Sequence, residues 1–481
     1  GYATGAFGKW HNGSQWPYHP RGRGFDEYFG HTAGHWGEYF DAPLEEDGRM
    51  IRTRGYIVDV CTDRALAFID RNKARPFFCY IPFTTPHSPW AVPEQDWLRF
   101  KDKPVTQRAT LPDQEAFDHT RCALAMIENQ DANVGRVLAK LDALNLTHKT
   151  IVLYFSDNGP NSWRWNGGLK GRKGSTDEGG VRSVCFLRWP ARLPADHTVT
   201  QIAAAIDLLP TLTALAGVPR VGDKPLDGRD LSPLLLKQST DWRDRMIFST
   251  WAGRVSVRTQ THRLDDRGAL FDMVADPGQT APVTDLQPAL TAQLRQAVAA
   301  WRQELFPPGA GQQEPRGGSA VDPRPLPVGY REFPITMLPA RDGEPRGNVR
   351  RSSKAPNCSY FVNWTGQEDS MVWLLDVHTT GRYEVVIDYT CPEADAGSLI
   401  ELSCGEGRVA GRVAPGWDPP LYTNQDTLPR VDGESQMKEF RPLKLGEIAL
   451  AQGQTPLTLR ALEIPGKSVM DVRRITLTLL P

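Results

Sequence analysis

No uninterrupted apolar run in this chain approaches the ~20 residues that a membrane-crossing helix needs. Charge of one sign is also missing. Fifty-six basic and 57 acidic residues leave a net charge of -1, with Lys and Arg spread along the chain. No field therefore steers it toward nucleic acid or an anionic membrane surface. CxxC pairs are absent, which argues against a zinc or thiol-redox site. The seven cysteines are an odd number, so they do not form a complete disulfide framework. Cys79 and Cys185 lie in apolar runs and read as buried free thiols. An initiator Met and a leader pattern are missing as well. A chain opening at Gly1 reads as one that has lost its beginning, so the missing leader carries no message about export. What is present suits a large globular protein: 481 residues, 40% hydrophobic, enough for more than one core. Fourteen Trp and 39 Pro fit a loop-rich enzyme or a carbohydrate-handling protein.

The first three hundred residues read as α/β. Phe77–Phe83, Thr150–Phe155 and Val184–Trp189 are short apolar runs, as in strands buried on both faces of a parallel sheet. Ile127, Val134, Val137, Leu138 and Leu141 recur at helical spacing, and Asn145 marks a turn before the next strand. Ala205–Gly217 predicts a helix closed by Gly217 and Pro219. Residues 241–305 predict two strands and a helix ending near Leu305. Residues 306–324 are rich in Pro and Gly without periodicity and read as a linker. Beyond it, Tyr383, Val385, Ile387 and Tyr389 alternate, as do two later runs. Alternation without helices predicts an antiparallel β-sandwich over 325–481.

Four segments could carry chemistry. Ser156–Gly159 (SDNG) follows a strand, where ligands collect in open α/β sheets. Asp157 and Asn158 are adjacent hard oxygen donors suited to Ca²⁺ or Mg²⁺; the other reading is an ordinary turn. His87, between Pro86 and Pro89 after another strand, could be a general acid or an oxyanion donor, or a loop histidine bonded to a carbonyl. Leu169–Gly180 sets Lys170, Arg172 and Lys173 among four glycines, which suits a sulfate or phosphate group, or a solvated basic loop. It is not a Walker P-loop. Finally, Lys9 and His11 in GYATGAFGKWHNG would share one face if the chain there is extended.

Taken in order, these segments resemble the sulfatase family of the alkaline phosphatase-like superfamily. GYATGAFGKWHNG, PFFCYIPFTTPHSP, VLYFSDNGP and GRKGSTDEGGVR look like its successive characteristic blocks, and LDGRDLSPLL and LFDMVADPGQ like its later landmarks. The resemblance covers most of residues 1–305. It implies a mixed, largely parallel sheet flanked by helices, a small C-terminal subdomain sheet at 241–305, and a separate appended sandwich. It also implies roles: Asp157 and Asn158 on a divalent metal (Ca²⁺ or Mg²⁺), Lys9 and Lys173 on the sulfate, His11 beside the nucleophile, His87 by the leaving-group oxygen. Sulfuryl transfer builds negative charge on oxygen, which a metal and fixed cations stabilise.

The family's nucleophile is a formylglycine made from Cys or Ser in Cys/Ser-x-Pro-x-Arg, and a paired Asp-Asp supplies further metal ligands. Neither block is present here; Asp265–Asp266, the only Asp pair, reads as a turn. The expectation is a fragment that begins inside the catalytic domain and is inactive alone. The full protein would be periplasmic or extracellular and matured by a formylglycine-generating or anaerobic sulfatase-maturating enzyme. Its substrate would be a sulfated carbohydrate or an aryl sulfate. The alternatives are a phosphodiesterase or phosphonate hydrolase of the same superfamily, and an inactive glycan-binding protein. His31, His35, Trp36, Trp163, Arg164 and Trp165 lie near the motif blocks; His35, Trp36, Arg164 and Trp165 are the substrate candidates, with loop packing as the other reading.

Overall fold

The computed structural model describes residues 1–239, 241–306, 323–355 and 358–481. From 307 to 322 the expected linker lies outside them. The chain divides into two compact units, Gly1–Lys103 with Arg121–Lys140 and Arg316–Pro481, and Pro104–Thr120 with Leu141–Pro315.

The first unit opens with β1 (Ala3–Lys9), β2 (Glu27–His31), β3 (Pro43–Glu46), β4 (Arg49–Arg52) and β5 (Phe77–Tyr80). They form one sheet in the order β4-β3-β2-β1-β5. β1 runs parallel to β2 and to β5, while β3 and β4 add an antiparallel edge. The three parallel strands therefore end on the same side. The helix Ile57–Asn72 covers the sheet, burying Ile57, Val58, Cys61, Ala65, Phe68 and Ile69 at three- and four-residue spacing. Phe68 meets Phe7 of β1 at a ring separation of 5.4 Å.

The same unit holds the sandwich. Its major strands are Ser370–Val377, Gly381–Thr390, Leu399–Cys404, Gly407–Arg412, Arg441–Leu450, Gly453–Glu463 and Asp471–Leu479. They fall into two six-stranded sheets that share one core. Tyr383, Val385, Ile387 and Tyr389 all point inward, as the alternation predicts. Among the described residues pairing is antiparallel except that Leu326–Val328 runs parallel to Ser370–Val377.

In the second unit, Val152–Phe155 and Cys185–Arg188 become β6 and β7. They pair with each other, antiparallel, as a two-stranded ribbon. This corrects the expectation of doubly buried parallel strands: Val184 is 50% and Phe186 63% exposed. Cys185 is accordingly exposed and Cys79 half-buried, against the expectation for both; all seven cysteines are free thiols. The helix Phe117–Ala143, whose residues 121–140 belong to the first unit, spans the predicted periodic run; Leu141 of that run is buried, but Ile127 is exposed and the rest of the buried face is Cys122, Ala125, Met126, Asn129 and Asn133. Leu208–Ala216 ends at Gly217, whose φ of 64° is the left-handed cap the sequence signals. Strands Ile247–Trp251, Arg254–Arg258, His262–Leu264 and Leu270–Asp272 form an antiparallel sheet, and the helix Pro288–Leu305 adds Leu294 to the core of Val257, Leu264 and Leu270. Asp265 is indeed turn chemistry, its Oδ1 accepting from the backbone of Arg267 and Ala269.

Candidate active site

The carboxyl ends of β1, β2 and β5 carry the first group of predicted residues. Gly8 and Gly30 face each other in register across β1 and β2, with φ of 141° and 153°. A Cβ on Gly8 would overlap the carbonyl of Pro82, and one on Gly30 the carbonyl of Gly8. Glycine there lets three backbones converge. Lys9 is the last residue of β1, its N–H bonded to Pro82 O at 2.8 Å and its register partner His31. His11 does not continue the strand. Its φ is 62°, so the extended geometry expected for Lys9 and His11 does not hold; its ring lies over Gly34, where a Cβ would displace it.

His31 is buried and engaged at both nitrogens, Nδ1 with Ala33 O at 3.0 Å and Nε2 with Thr84 Oγ1 at 2.9 Å. Burial, with Lys9 nearby, pushes its pKa down to about 3. It is a neutral strut between the loops after β2 and β5. Trp36 stacks on it at 5.0 Å, which makes that ring a packing wall. His35 reaches the loop after β5: its Nδ1 lies 3.2 Å from Nδ1 of His87. Burial and the His87 charge push His35 down to about 2. His87 Nδ1 lies 2.9 Å from Ser88 O, and Tyr39 Oη donates to the carbonyls of His87 and Ser88.

The second unit carries the other group. β6 delivers Asp157, which is exposed, and Asn158, whose Nδ2 donates to Gly159 O at 2.8 Å and so orients Oδ1 as the acceptor. Gly159 sits where a Cβ would overlap the Gly179 carbonyl, and its N–H donates to Gly180 O at 3.0 Å. Lys173 N donates to Pro160 O at 2.8 Å, which sets the lysine loop beside the SDNG turn. That loop is anchored from behind. Buried Arg263 donates to Glu178 Oε2 at 2.7 Å and to Thr176 O at 2.8 Å, and Ser256 Oγ also donates to Thr176 O. Lys170 lies against Asp265 and Asp177, at 3.3 and 3.5 Å, and over Phe271. Arg172 bonds Asn161 O and lies over Trp163. Of the loop's three cations, those two are held by the fold. Arg164 bonds Ser162 Oγ at 2.8 Å, and Trp165 is 50% exposed.

Lys9, His11, His35, Trp36 and His87 thus belong to one unit, and Asp157, Asn158, Arg164, Trp165 and Lys173 to the other. Among the described residues no three His, Cys, Asp or Glu side chains form a metal centre. Asp157 and Asn158 supply two oxygen donors where Ca²⁺ takes about six to eight. The donors present do not complete such a site. Sequence reasoning missed Glu178 and Arg263 as anchors of the lysine loop, and Glu434, whose Oε2 lies 3.5 Å from His35 Nε2. No local signal marks any of the three.

The first unit carries cations and imidazoles at the ends of parallel strands, and the second carries a glycine-shaped lysine loop, in a protein of the α/β class. Residues 1–218 match the Sulfatase family model. The chain is 32% identical over 273 residues to the N-acetylgalactosamine-6-sulfatase of Canis lupus familiaris, covering 52% of this chain and 48% of that protein. It is 36% identical over 183 residues to the steryl-sulfatase of Mus musculus, covering 36% of this chain and 26% of that protein. The chain thus spans about half the length of the first relative and about a quarter of the second. Among solved structures it resembles Ps i-CgsB in complex with k-i-k-neocarrahexaose, with a TM-score of 0.56 and 28% identity over 62% of this chain and 71% of that one.

Proposed function

We propose that the protein to which these residues belong hydrolyses a sulfate ester of a carbohydrate and releases inorganic sulfate. The observation that carries this reading is the arrangement of Lys9, His11 and His87 at the carboxyl ends of two adjacent parallel strands, β1 and β5, inside the span that matches the Sulfatase family model. In this reading Lys9 and Lys173 bind the sulfuryl oxygens and stabilise the charge that grows on them. His87 gives a proton to the departing alcohol oxygen. His11 would stand beside the nucleophile and accept a proton from its hydroxyl at a ring nitrogen. Asp157 and Asn158 would contribute two oxygens to a divalent cation, Ca²⁺ or Mg²⁺, which would supply neutralisation of sulfuryl charge. The nucleophile of the reading is a formylglycine, and the residues given contain no Cys/Ser-x-Pro-x-Arg to make it from. In this reading that block and the other metal ligands belong to a longer protein, with a sulfatase-maturating enzyme as partner and the periplasm or exterior as location. A sugar substrate is favoured by the similarity to an N-acetylgalactosamine-6-sulfatase and to a neocarrahexaose-bound protein.

The test is the protein expressed from the uninterrupted gene, assayed on sulfated galactosamine, 4-nitrophenyl sulfate and a bis-aryl phosphate. Sulfate release is expected from the first two. Strong preference for the phosphodiester would replace this reading with that of a phosphodiesterase, and a gene without the nucleophile block would leave a catalytically dead binding protein.

A further inference from the structure

The segment between Gly407–Arg412 and Arg441–Leu450 leaves the sandwich and grips the loops that carry His35 and His87. Thr427 N and Leu428 N donate to Trp90 O at 2.8 and 3.1 Å, and Val92 N donates to Thr427 Oγ1 at 3.0 Å. Arg430, held by Asp426 at 2.7 and 3.0 Å, donates to Gly37 O at 3.0 Å. This grip delivers Glu434. Ser88 Oγ donates to its Oε1 at 2.6 Å. Its Oε2 lies 3.5 Å from His35 Nε2, and both atoms are buried with no hydrogen bond elsewhere among the described residues.

Hydrogen positions in the chain follow from its ends. Ser88 O can only accept, so His87 Nδ1 carries the hydrogen. That hydrogen also faces His35 Nδ1, which must be the bare nitrogen of a neutral ring. The hydrogen of His35 then sits on Nε2 and points at the carboxylate. We infer that Glu434 is a positioning residue for the proposed acid: it holds His35 as the Nε2–H tautomer, so that His35 Nδ1 accepts from the His87 Nδ1–H that Ser88 O fixes and the His87 ring is held with Nε2 as the nitrogen that exchanges a proton with substrate. The burial that pushes His35 down to about 2 keeps that ring neutral, as the arrangement requires. The acid role of His87 rests on the sulfatase reading above; the tautomer assignment does not.

The decisive measurement is long-range ¹H–¹⁵N spectroscopy of the full chain labelled at histidine, which separates protonated from bare ring nitrogens, with His35→Gln and His87→Gln variants for assignment. The unmodified chain should show His35 Nε2–H and His87 Nδ1–H. In Glu434→Gln the amide oxygen keeps the Ser88 bond and the NH₂ faces His35 Nε2, so the hydrogen of His35 moves to Nδ1, where it opposes the His87 Nδ1–H held by Ser88 O and breaks the contact between the two rings. The opposite tautomers in the unmodified chain, or no change in the variant, would overturn the inference. In the catalytically complete protein, Glu434→Gln should lower kcat on an alkyl or sugar sulfate by at least ~10-fold with KM unchanged. Turnover of 4-nitrophenyl sulfate, whose leaving group needs no proton, should stay within about threefold, and Glu434→Asp should recover part of the loss. Equal losses on both esters would sever Glu434 from the acid. If no sulfate ester is cleaved, the functional reading fails while the tautomer result stands by its own spectrum.

Discussion

Glu38 and Arg473 offer the sharpest energetic test. Arg473 lies on Asp471–Leu479 of the sandwich, and Glu38 follows Trp36 by two residues. The guanidinium donates twice to the carboxylate, at 2.5 and 3.3 Å, and both residues are buried. Its carbon lies 5.6 Å from the ring centroids of Trp36 and Phe440. Glu38→Gln would leave the cation buried against neutral neighbours. Two unit charges 4 Å apart interact by about 4 kcal/mol at an effective dielectric of ~20. Breaking a buried pair from one side costs about 3–5 kcal/mol in measured cases. The two figures agree, so the expected loss is about 3–5 kcal/mol, or roughly 10²–10⁴ in the equilibrium for opening this region. Hydrogen exchange read on peptides from Asp471–Leu479 and from residues 31–46 measures that opening locally, without assuming that the whole chain unfolds in one step. Exchange there should accelerate by that factor. The double variant Glu38→Met/Arg473→Met removes both charges and should recover at least ~2 kcal/mol relative to the sum of the single losses. A single-variant loss below ~1 kcal/mol, or strict additivity in the double variant, would refute the claim that the two charges hold each other in place.

Three further outcomes are expected. Thermal stability should fall with acid: His31 and His35 are held at about 3 and about 2 in the fold, whereas the unfolded chain takes up protons below 6.5. Stability is therefore full above pH 6.5 and declines toward those folded values, by about 2 kcal/mol per histidine at pH 5; a His31→Asn variant should show a shallower pH slope in thermal scans, and an identical slope would contradict the assignment. Gly8→Ala should cost more than ~3 kcal/mol, because a positive φ and a backbone overlap are combined; a soluble variant with an unchanged melting midpoint would show that β1 and the Pro82 segment after β5 can separate freely. In the second unit, Glu178→Gln should loosen the lysine loop by about 3–5 kcal/mol through stranded Arg263 and Arg258, seen as faster exchange at residues 170–180, and unaltered exchange would exclude Glu178 as its anchor.

The blocks around Lys9, His87, Asp157 and Lys173 were legible because each is local: a few residues whose spacing survives in one dimension. Helix Leu208–Ala216 and the alternation of Tyr383, Val385, Ile387 and Tyr389 were legible for the same reason, since a helix and a half-buried strand imprint their own periods. The pairing of β6 with β7, and the exposure of Val184 and Phe186, were not. An apolar run states that a strand has water-averse faces, and only its neighbours decide whether anything covers them. His11 failed for a related reason: alternation places side chains only while the backbone stays extended, and the chain turns at φ 62°.

By itself, then, the sequence determined the α/β character, the sandwich and the sulfatase-type blocks. Tertiary structure alone decided which distant groups attend them: Glu434 reaches Ser88 across 346 positions, Arg473 reaches Glu38 across 435, and Arg263 reaches Glu178 across 85. Such partners leave no spacing to read. A carboxylate behind a histidine pair gains its meaning from burial and a few ångströms of geometry, which exist only once the chain has closed on itself.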